Sequence, residues 1–392
     1  MNLLQLNKPI TFSFKKNKKS PGAKNNNTKL NTALSLDIGS CQTKMLIGRQ
    51  KAGALFIEQA LLTDTPENAF ANGEIADEAS LEAMLGHLVK HAKTAIKDLV
   101  FSIDSTKIIK REFVIPRIPD EDIPGLVTYE MGQYLPIDIS GYSIQHKVIG
   151  SVSEDGEDKI KVAVNAVPKN MIQAYQKLFT SVGLKPVSMD VNPNSLEKLL
   201  RFDILCSPDS EYADKDIAFI DMGHSCFSVA VYGDGCYQFS QDIEMGGRMI
   251  DAMITEILMI DAEKASQVKK EICTRINAVD LDRKYGRLPA NYQPQSGNEK
   301  ILIELLSIMN RWAGQVDNVL HYMTRGRGSG IDKVYLYGGA SFISGIGEFL
   351  ESKLAVETAA VNAFQCCSFA QGVNAREAAA THTNALGAIL RL

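Results

Sequence analysis

Two short segments of this chain combine a carboxylate, a glycine and small hydroxyl residues at the end of an apolar run. Leu36-Asp37-Ile38-Gly39-Ser40-Cys41 recurs as Ile220-Asp221-Met222-Gly223-His224-Ser225, and each copy leads into a second apolar stretch, at 44–49 and at 227–232. A strand ending in such a turn presents bare backbone amides, and glycine lets the main chain come close to an anion, so successive N–H groups can cradle phosphate. Ser40, Gln42 and Thr43 add hydrogen-bond donors, and Lys44 supplies a point charge. Asp37 and Asp221 would repel bare phosphate; they make sense through a hydrated magnesium ion, whose waters they can hold. A third piece, Tyr335-Leu336-Tyr337-Gly338-Gly339-Ala340-Ser341, reads as a strand-to-helix turn open enough for a base and sugar. Each piece alone is also an ordinary connector; the three together form a specific constellation.

Those residues need strands to place them. The folded part is expected to begin near Thr32, after Pro21-Gly22 and Asn25-Asn26-Asn27, with strands at 33–36, 44–49 and 54–62. Leu81, Met84, Leu85 and Leu88 share one face of a predicted helix over 79–97, and a strand follows at 100–103. From about 112 to 184 the texture changes, punctuated by Pro116, Pro119, Pro124 and Pro136, and reads as a small strand–helix insertion. Further on, helices are expected at 248–260, 261–276, 301–323 and 343–354, with an exposed polar loop over 281–298 and a closing alanine-rich helical region over 370–392. The distance between the two Asp-x-Gly copies is no solenoid period and points to two related domains.

Composition narrows the class. The chain has 392 residues, 45% apolar and 22% charged, with formal net charge −4, which is ordinary globular composition with room for two cores. No stretch reaches eighteen uninterrupted apolar residues, and the short apolar run at 1–6 precedes its lysines, the reverse of an export signal. The seven cysteines are odd in number and form no CxxC pair, so a disulfide framework is not expected, and the six histidines show no HExxH spacing. Residues 1–30 hold seven lysines and no acid, leaving a folded body more acidic than the total. An acidic body argues against nucleic-acid binding. The basic leader reads as a solvated disordered segment or as a contact for anionic lipid or nucleic acid.

The order of two Asp-x-Gly loops and a late Gly-Gly turn resembles the actin-like ATPases. Within that superfamily the chain is similar to the PilM family of type IV pilus assembly proteins: Leu36-Asp37-Ile38-Gly39-Ser40 with Lys44, Asp242-Ile243-Glu244-Met245-Gly246-Gly247, the run 263–269 and the run 385–391 carry the likeness, which covers roughly 33–392. The resemblance implies an α/β, ribonuclease H-like duplicated actin-like fold, two domains around a nucleotide cleft, with a small α+β insertion in the first. Its expected limits are a disordered basic leader at 1–32, a first domain at 33–214 including the insertion at about 112–184, a second domain at 215–369, and a C-terminal helix at 370–392 packing back on the first domain. ATP and Mg2+ are the implied cofactors. Asp37, Gly39, Ser40 and Lys44 would form one phosphate loop, Asp221, Gly223 and Ser225 the other, and Lys269, Gly338, Gly339 and Ser341 the adenosine side. Gly246 and Gly247 either approach phosphate or turn the chain, and His224 either donates to phosphate or points outward.

Relatives often open a helix with Glu-Pro to reach the attacking water. Here Asn192-Pro193 stands in that place, and Asp190 lies two residues before. An amide orients water and cannot take its proton, so ATP binding with slow or absent hydrolysis is expected. The implied function is a cytoplasmic ATP-binding scaffold at the inner face of the membrane, docking the cytoplasmic tail of a PilN-like membrane protein, with an FtsA-like filament-forming ATPase or a small-molecule kinase as alternatives.

Overall fold

Runs of branched and aromatic residues set the strands, and glycine, asparagine or aspartate ends them. The structure, a computed structural model, describes residues 12–13, 32–51, 54–134, 138–154, 156–207, 209–289, 291–325 and 330–390. In chain order the first half comprises β1 (Phe12–Ser13), β2 (Thr32–Ile38), β3 (Gln42–Lys51), β4 (Ala54–Asp64), the small hairpin β5 (Phe70–Ala71) and β6 (Glu74–Ile75), α1 (Glu78–Ala92), β7 (Asp98–Ile103), β8 (Ile109–Pro116), α2 (Ile123–Tyr134), β9 (Tyr142–Glu154), β10 (Glu157–Pro168), α3 (Lys169–Ser181), β11 (Lys185–Val191) and α4 (Asn192–Cys206). The second half comprises β12 (Asp216–Met222), β13 (Phe227–Gly233), β14 (Cys236–Ile243), α5 (Arg248–Leu258), α6 (Ala262–Arg275), α7 (Ala278–Tyr285), α8 (Gly297–Thr324), β15 (Lys333–Tyr337), α9 (Ile346–Leu354), β16 (Thr358–Ala360), β17 (Cys367–Phe369), α10 (Ala375–Thr381) and α11 (Thr383–Ile389).

Two compact units result. The first holds Met1–Ser210, Phe364–Ala378 and His382–Leu392, and the second Glu211–Ala363 with Ala379–Thr381. In the first, a seven-stranded sheet runs in the order β1-β11-β7-β2-β3-β4-β17. Strand β2 pairs antiparallel with β3 and parallel with β7, and β11 pairs parallel with β7. In the second, the order is β14-β13-β12-β15-β16, with β12 antiparallel to β13 and parallel to β15. Five strands therefore correspond one to one: β11-β7-β2-β3-β4 and β16-β15-β12-β13-β14 share order and direction. The repeated Asp-x-Gly turn sits in the same place in both, between the first and second strands of the antiparallel meander.

One face of the first sheet packs Leu34, Leu36, Phe101 and Met189 against Leu81 and Leu85 of α1 and Tyr175 and Phe179 of α3. Phe101 stacks on Tyr175 with centroids 5.3 Å apart and meets Phe179 edge-on at 4.8 Å. The second unit buries Trp312 of the long helix α8 against Phe227, centroids 4.9 Å apart, within a core that also takes in Ile220, Met222, Ile254 and Phe349. Complete burial of side chains this large stabilises each core by about 2–3 kcal/mol apiece.

Four boundaries differ from the sequence-based expectation. The inserted element is the separate three-stranded sheet β8-β10-β9 with α2, whose core is Ile115, Val127, Met131 and Val162. Helix α3, expected within it, instead packs into the main core, because Met171, Tyr175, Leu178 and Phe179 form one apolar face. The polar loop expected at 281–298 begins inside α7, where Asn277 caps the helix by accepting from Val279 N and Asp280 N, and Leu281 and Tyr285 are buried. Residues 364–369, expected in the second domain, belong to the first unit, where β17 adds parallel to β4. Phe12–Ser13 of the basic leader adds antiparallel to β11, opposite Met189 and Ser188, and Thr32 already belongs to β2; residues 1–11, 14–31 and 391–392 lie outside the described residues.

Candidate functional site

Three neighbouring parallel strands of the first unit end level with one another. Asp37 on β2 is in register with Ser102 on β7, and Ser102 with Asp190 on β11, so all three side chains leave the same face near the carboxyl ends. Loops beyond the carboxyl ends of parallel strands are where α/β sheets take ligands. Beyond Asp37 the chain turns tightly, with Gly39 N donating to Gln42 O at 3.0 Å. A Cβ on Gly39 would stand 2.9 Å from Gln42 O and 3.2 Å from Lys44 Nζ, which explains the glycine. Asp37 faces Lys44 across the β2–β3 ladder, and Lys44 Nζ lies 3.6 Å from Asp37 Oδ2. Ser40 and Gln42 are partly exposed at this turn.

Thr43 has a different part from the one its sequence position suggests. It is fully buried, and its hydroxyl meets that of Thr65 at 2.9 Å, while Thr65 donates to Gly39 O at 2.8 Å. The pair braces the turn from beneath. His382 also supports this end of the sheet, its Nε2 donating to Leu61 O at 3.1 Å. Burial pulls the His382 pKa down to about 4; the Lys44 ammonium pushes the same way, while the Leu61 carbonyl and Asp37 oppose it. The ring is therefore neutral at pH 7 and donates without adding charge.

Asp190 and Asn192 diverge. Asp190 is buried and ion-paired with Lys198 at 2.6 Å, and it accepts from Val191 N and from the Asn194 side-chain amide. Lys198 also donates to Leu390 O at 3.0 Å. A carboxylate held by an ammonium and two N–H donors is a structural anchor, poorly suited to take a proton from water. Asn192 opens α4 with Pro193 behind it, and its Oδ1 has no hydrogen-bond partner among the described residues.

In the second unit Asp221 lies next to the end of β12 and Gly338 follows β15, its parallel neighbour, with Asp221 in register with Tyr337. Gly338 has φ 86° and ψ 175°, and a Cβ there would collide with Asp221 Oδ1 and stand 3.1 Å from Met222 N. Gly339 is exposed with nothing near a notional Cβ, whereas Ser341 is buried and its hydroxyl donates to Gly338 O at 2.7 Å, closing its own turn. At the other turn, a Cβ on Gly223 would lie 2.6 Å from Cys226 O. Ser225 is partly exposed beside it.

Gly246 and Gly247 clasp this second loop. Gly247 N donates to Gly223 O at 3.1 Å and Arg248 N to His224 O at 2.8 Å, and a Cβ on Gly246 would enter the His224 carbonyl. The two glycines are buried, and the Gly247 amide is spent on the loop, so their geometry positions the turn. His224 Nδ1 lies 3.6 Å from the Asp251 carboxylate, which Lys269 of α6 engages at 2.5 Å. Burial, with Lys269 and Arg248 nearby, lowers the His224 pKa against the opposing pull of Asp251. Asp251, Thr65, Ser102 and His382 carry no motif of their own; only their positions in the fold bring them near these turns, as only the fold brings Lys198 to Asp190.

In the first unit Asp37 stands at a glycine-closed turn with Lys44 beside it, and in the second Asp221 stands at its own glycine-closed turn with His224, Arg248 and Lys269 around it; in each the donor types suit a phosphate and a hydrated cation. Among the described residues no three His, Cys, Asp or Glu side chains gather into a protein-only metal cage. Nor is any helix of the described residues long and apolar enough to cross a membrane.

No curated protein matches the chain. Among solved structures, one described as the PilM-PilN type IV pilus biogenesis complex superposes with TM-score 0.74 at 19% identity, covering 92% of this chain and 98% of that one. The ethanolamine utilization protein EutJ from Carboxydothermus hydrogenoformans superposes with TM-score 0.51 at 12% identity, covering 92% and 90%. MreB5 of Spiroplasma citri bound to ADP gives TM-score 0.43 at 12% identity, covering 92% and 94%. The family model described as type IV pilus assembly protein PilM matches residues 35–391. The fold is the actin-like ATPase fold, and the chain belongs to the PilM family of type IV pilus assembly proteins.

Proposed function

We propose that the chain binds Mg-ATP through its two Asp-x-Gly turns and serves pilus assembly as a scaffold that docks the cytoplasmic tail of a PilN-like membrane protein. The observation that carries the nucleotide reading is the duplicated strand–turn–strand in which Asp37 and Asp221 each end a strand with a parallel neighbour, beside a glycine that tolerates no Cβ. In this reading Asp37 and Asp221 hold magnesium-bound waters. Gly39, Ser40, Gln42 and Lys44 serve the phosphates from the first turn, and Gly223, His224 and Ser225 from the second. Gly338, Gly339 and Lys269 line the adenosine side, while Thr43, Gly246, Gly247 and Ser341 keep the turns in shape. Magnesium bound to the phosphates supplies charge neutralisation.

Hydrolysis is slow in this reading, because Asn192 offers an amide oxygen that orients water without accepting its proton, and Asp190 is committed to Lys198. The partner reading is supported by family membership and by the solved complex whose description names PilN. Recruitment to the inner face of the cytoplasmic membrane would follow from that partner.

Calorimetric titration of the full chain with Mg-ATP and Mg-ADP, beside Asp221→Ala, tests the reading. Binding that the variant weakens at least tenfold, about 1.4 kcal/mol or more, is the expected result. Wild-type protein that binds neither nucleotide would leave a nucleotide-independent scaffold as the better account.

A further inference from the structure

Helix α4 is buried from Pro193 to Leu200, and again at Phe202 and Asp203, although it carries Asn194, Ser195, Glu197, Lys198 and Asp203. A helix with two adjacent charges inside a core needs a partner for each. Lys198 finds Asp190 and Leu390 O, both within the main body of the first unit. Glu197 finds Lys147, which stands on β9 of the inserted three-stranded sheet and is itself buried. The ammonium and the carboxylate are in direct contact. Through this pair the inserted sheet is fixed to the helix that begins at Asn192, directly after β11, whose Asp190 is in register with Ser102 and, through it, with Asp37 at the first turn.

We propose that Lys147 and Glu197 are positioning residues that make the inserted subdomain and the Asn192 end of α4 move as one body, so that what binds at the first turn is felt in the insertion. Two properties of the pair support this. Removing either partner strands the other charge in a dry place, so the insertion cannot lift off α4 without opening both. A charged hydrogen bond also has one best geometry, whereas an apolar contact of the same size lets two surfaces slide. Lys198 adds the second half of the linkage, because its tie to Asp190 fixes α4 to the carboxyl end of β11, one strand from Ser102 and two from Asp37. The inference rests on the proposed binding of Mg-ATP.

Amide hydrogen exchange on the full chain, with and without saturating Mg-ATP, tests it. Three proteins are compared: wild type, Lys147→Met/Glu197→Leu, and Lys147→Arg. In wild type, nucleotide should slow exchange at the β2–β3 turn and change it at least twofold in β9 and β10. The apolar pair should still slow at the β2–β3 turn but lose the change in β9 and β10, and Lys147→Arg should retain both. If the apolar pair transmits the full change, or if wild type responds at the turn and not in the insertion, the linkage is overturned whatever happens to the nucleotide reading. Absence of any wild-type response at the turn would instead remove the nucleotide reading, and this inference with it. Should the apolar pair fail to fold, Glu197→Gln, which keeps the shape and removes the charge, takes its place with the same expected loss.

Discussion

Gly338→Ala is the substitution whose effect can be worked most closely from the geometry. Gly338 holds φ 86° with ψ 175°, a conformation open to glycine alone. Forcing alanine into it costs about 1–3 kcal/mol in backbone energy. The new methyl would also enter the space of Asp221 Oδ1 and press on Met222 N at 3.1 Å. Either the Asp221 carboxylate turns away or β12 and β15 separate, adding about 1 kcal/mol or more for overpacking. The sum, roughly 3 kcal/mol, is a large share of the 5–15 kcal/mol that holds a typical domain together. It would lower the melting temperature of the affected transition by roughly 6–12 °C. Gly339→Ala is the matched control, because that position is exposed and nothing lies within 4 Å of its notional Cβ. Thermal unfolding and Mg-ATP titration of both variants decide the matter. Gly338→Ala should lose stability and nucleotide affinity together, and Gly339→Ala neither stability nor, beyond a few fold, affinity. Equal and small effects in both would refute the steric argument; lost stability with unchanged affinity would refute the placement of Asp221 in the nucleotide site.

Two further predictions concern a buried histidine and a pair of helix glycines. His382 titrates near 4 in the folded chain against 6.5 for the free side chain, so the unfolded state binds more protons between those values, and stability present above pH 6.5 is lost as pH falls towards 4. The loss from this group amounts to about 3 kcal/mol, and urea titrations across pH 4.5–7.5 should show His382→Gln flattening it. Gly387→Ala should destabilise by about 1–3 kcal/mol, since a Cβ there runs into the Ser195 carbonyl where α11 crosses α4, whereas Gly314→Ala in the middle of α8, with nothing within 4 Å, should gain up to about 1 kcal/mol of helix stability; urea midpoints of the two variants separate the cases.

The strands that carry the two turns were legible because an apolar run ending in Asp-x-Gly has few other readings, and the repeat supplied the second domain. Amphipathic spacing likewise announced α1. Helix α7 was hidden: its buried positions Ala278, Leu281 and Tyr285 lie among aspartates, arginine and lysine, and the helix is secured by the Asn277 cap and by packing on α8 and α9. The closing segment was misassigned at its start for a related reason. Nothing in Cys367–Phe369 announces a strand; it becomes one by adding to the free edge of β4, to which Cys366 O is joined by Leu55 N at 2.8 Å. Helix α4 shows the limit most clearly, since its composition reads as solvent-facing and only partners as far away as Lys147 and Leu390 make it a core helix.

The candidate site divides in the same way, and the reason lies in the duplication. Equivalent turns on equivalent strands made Asp37 and Asp221 visible together, but equivalence ends at the residue across the ladder. Asp37 faces Lys44, so the first turn carries its own cation. Asp221 faces Ser228, whose hydroxyl donates to Asp242 at 2.6 Å, so the hairpin of the second turn brings none. Its positive groups come instead from Arg248 at the start of α5 and Lys269 on α6, and Gly338 closes in on the carboxylate from the side. A motif comparison finds the shared half of each turn, the aspartate and the glycine. The unshared half depends on which helices the second unit places behind β12: Arg248 comes with α5, whose first amide bonds the His224 carbonyl, and Lys269 with α6, while α5 and α8 share one core through Ile254 and Trp312. The same fold thus holds two carboxylates in matching frames while giving each a different electrostatic neighbourhood, one built into the strand and one assembled from a distance.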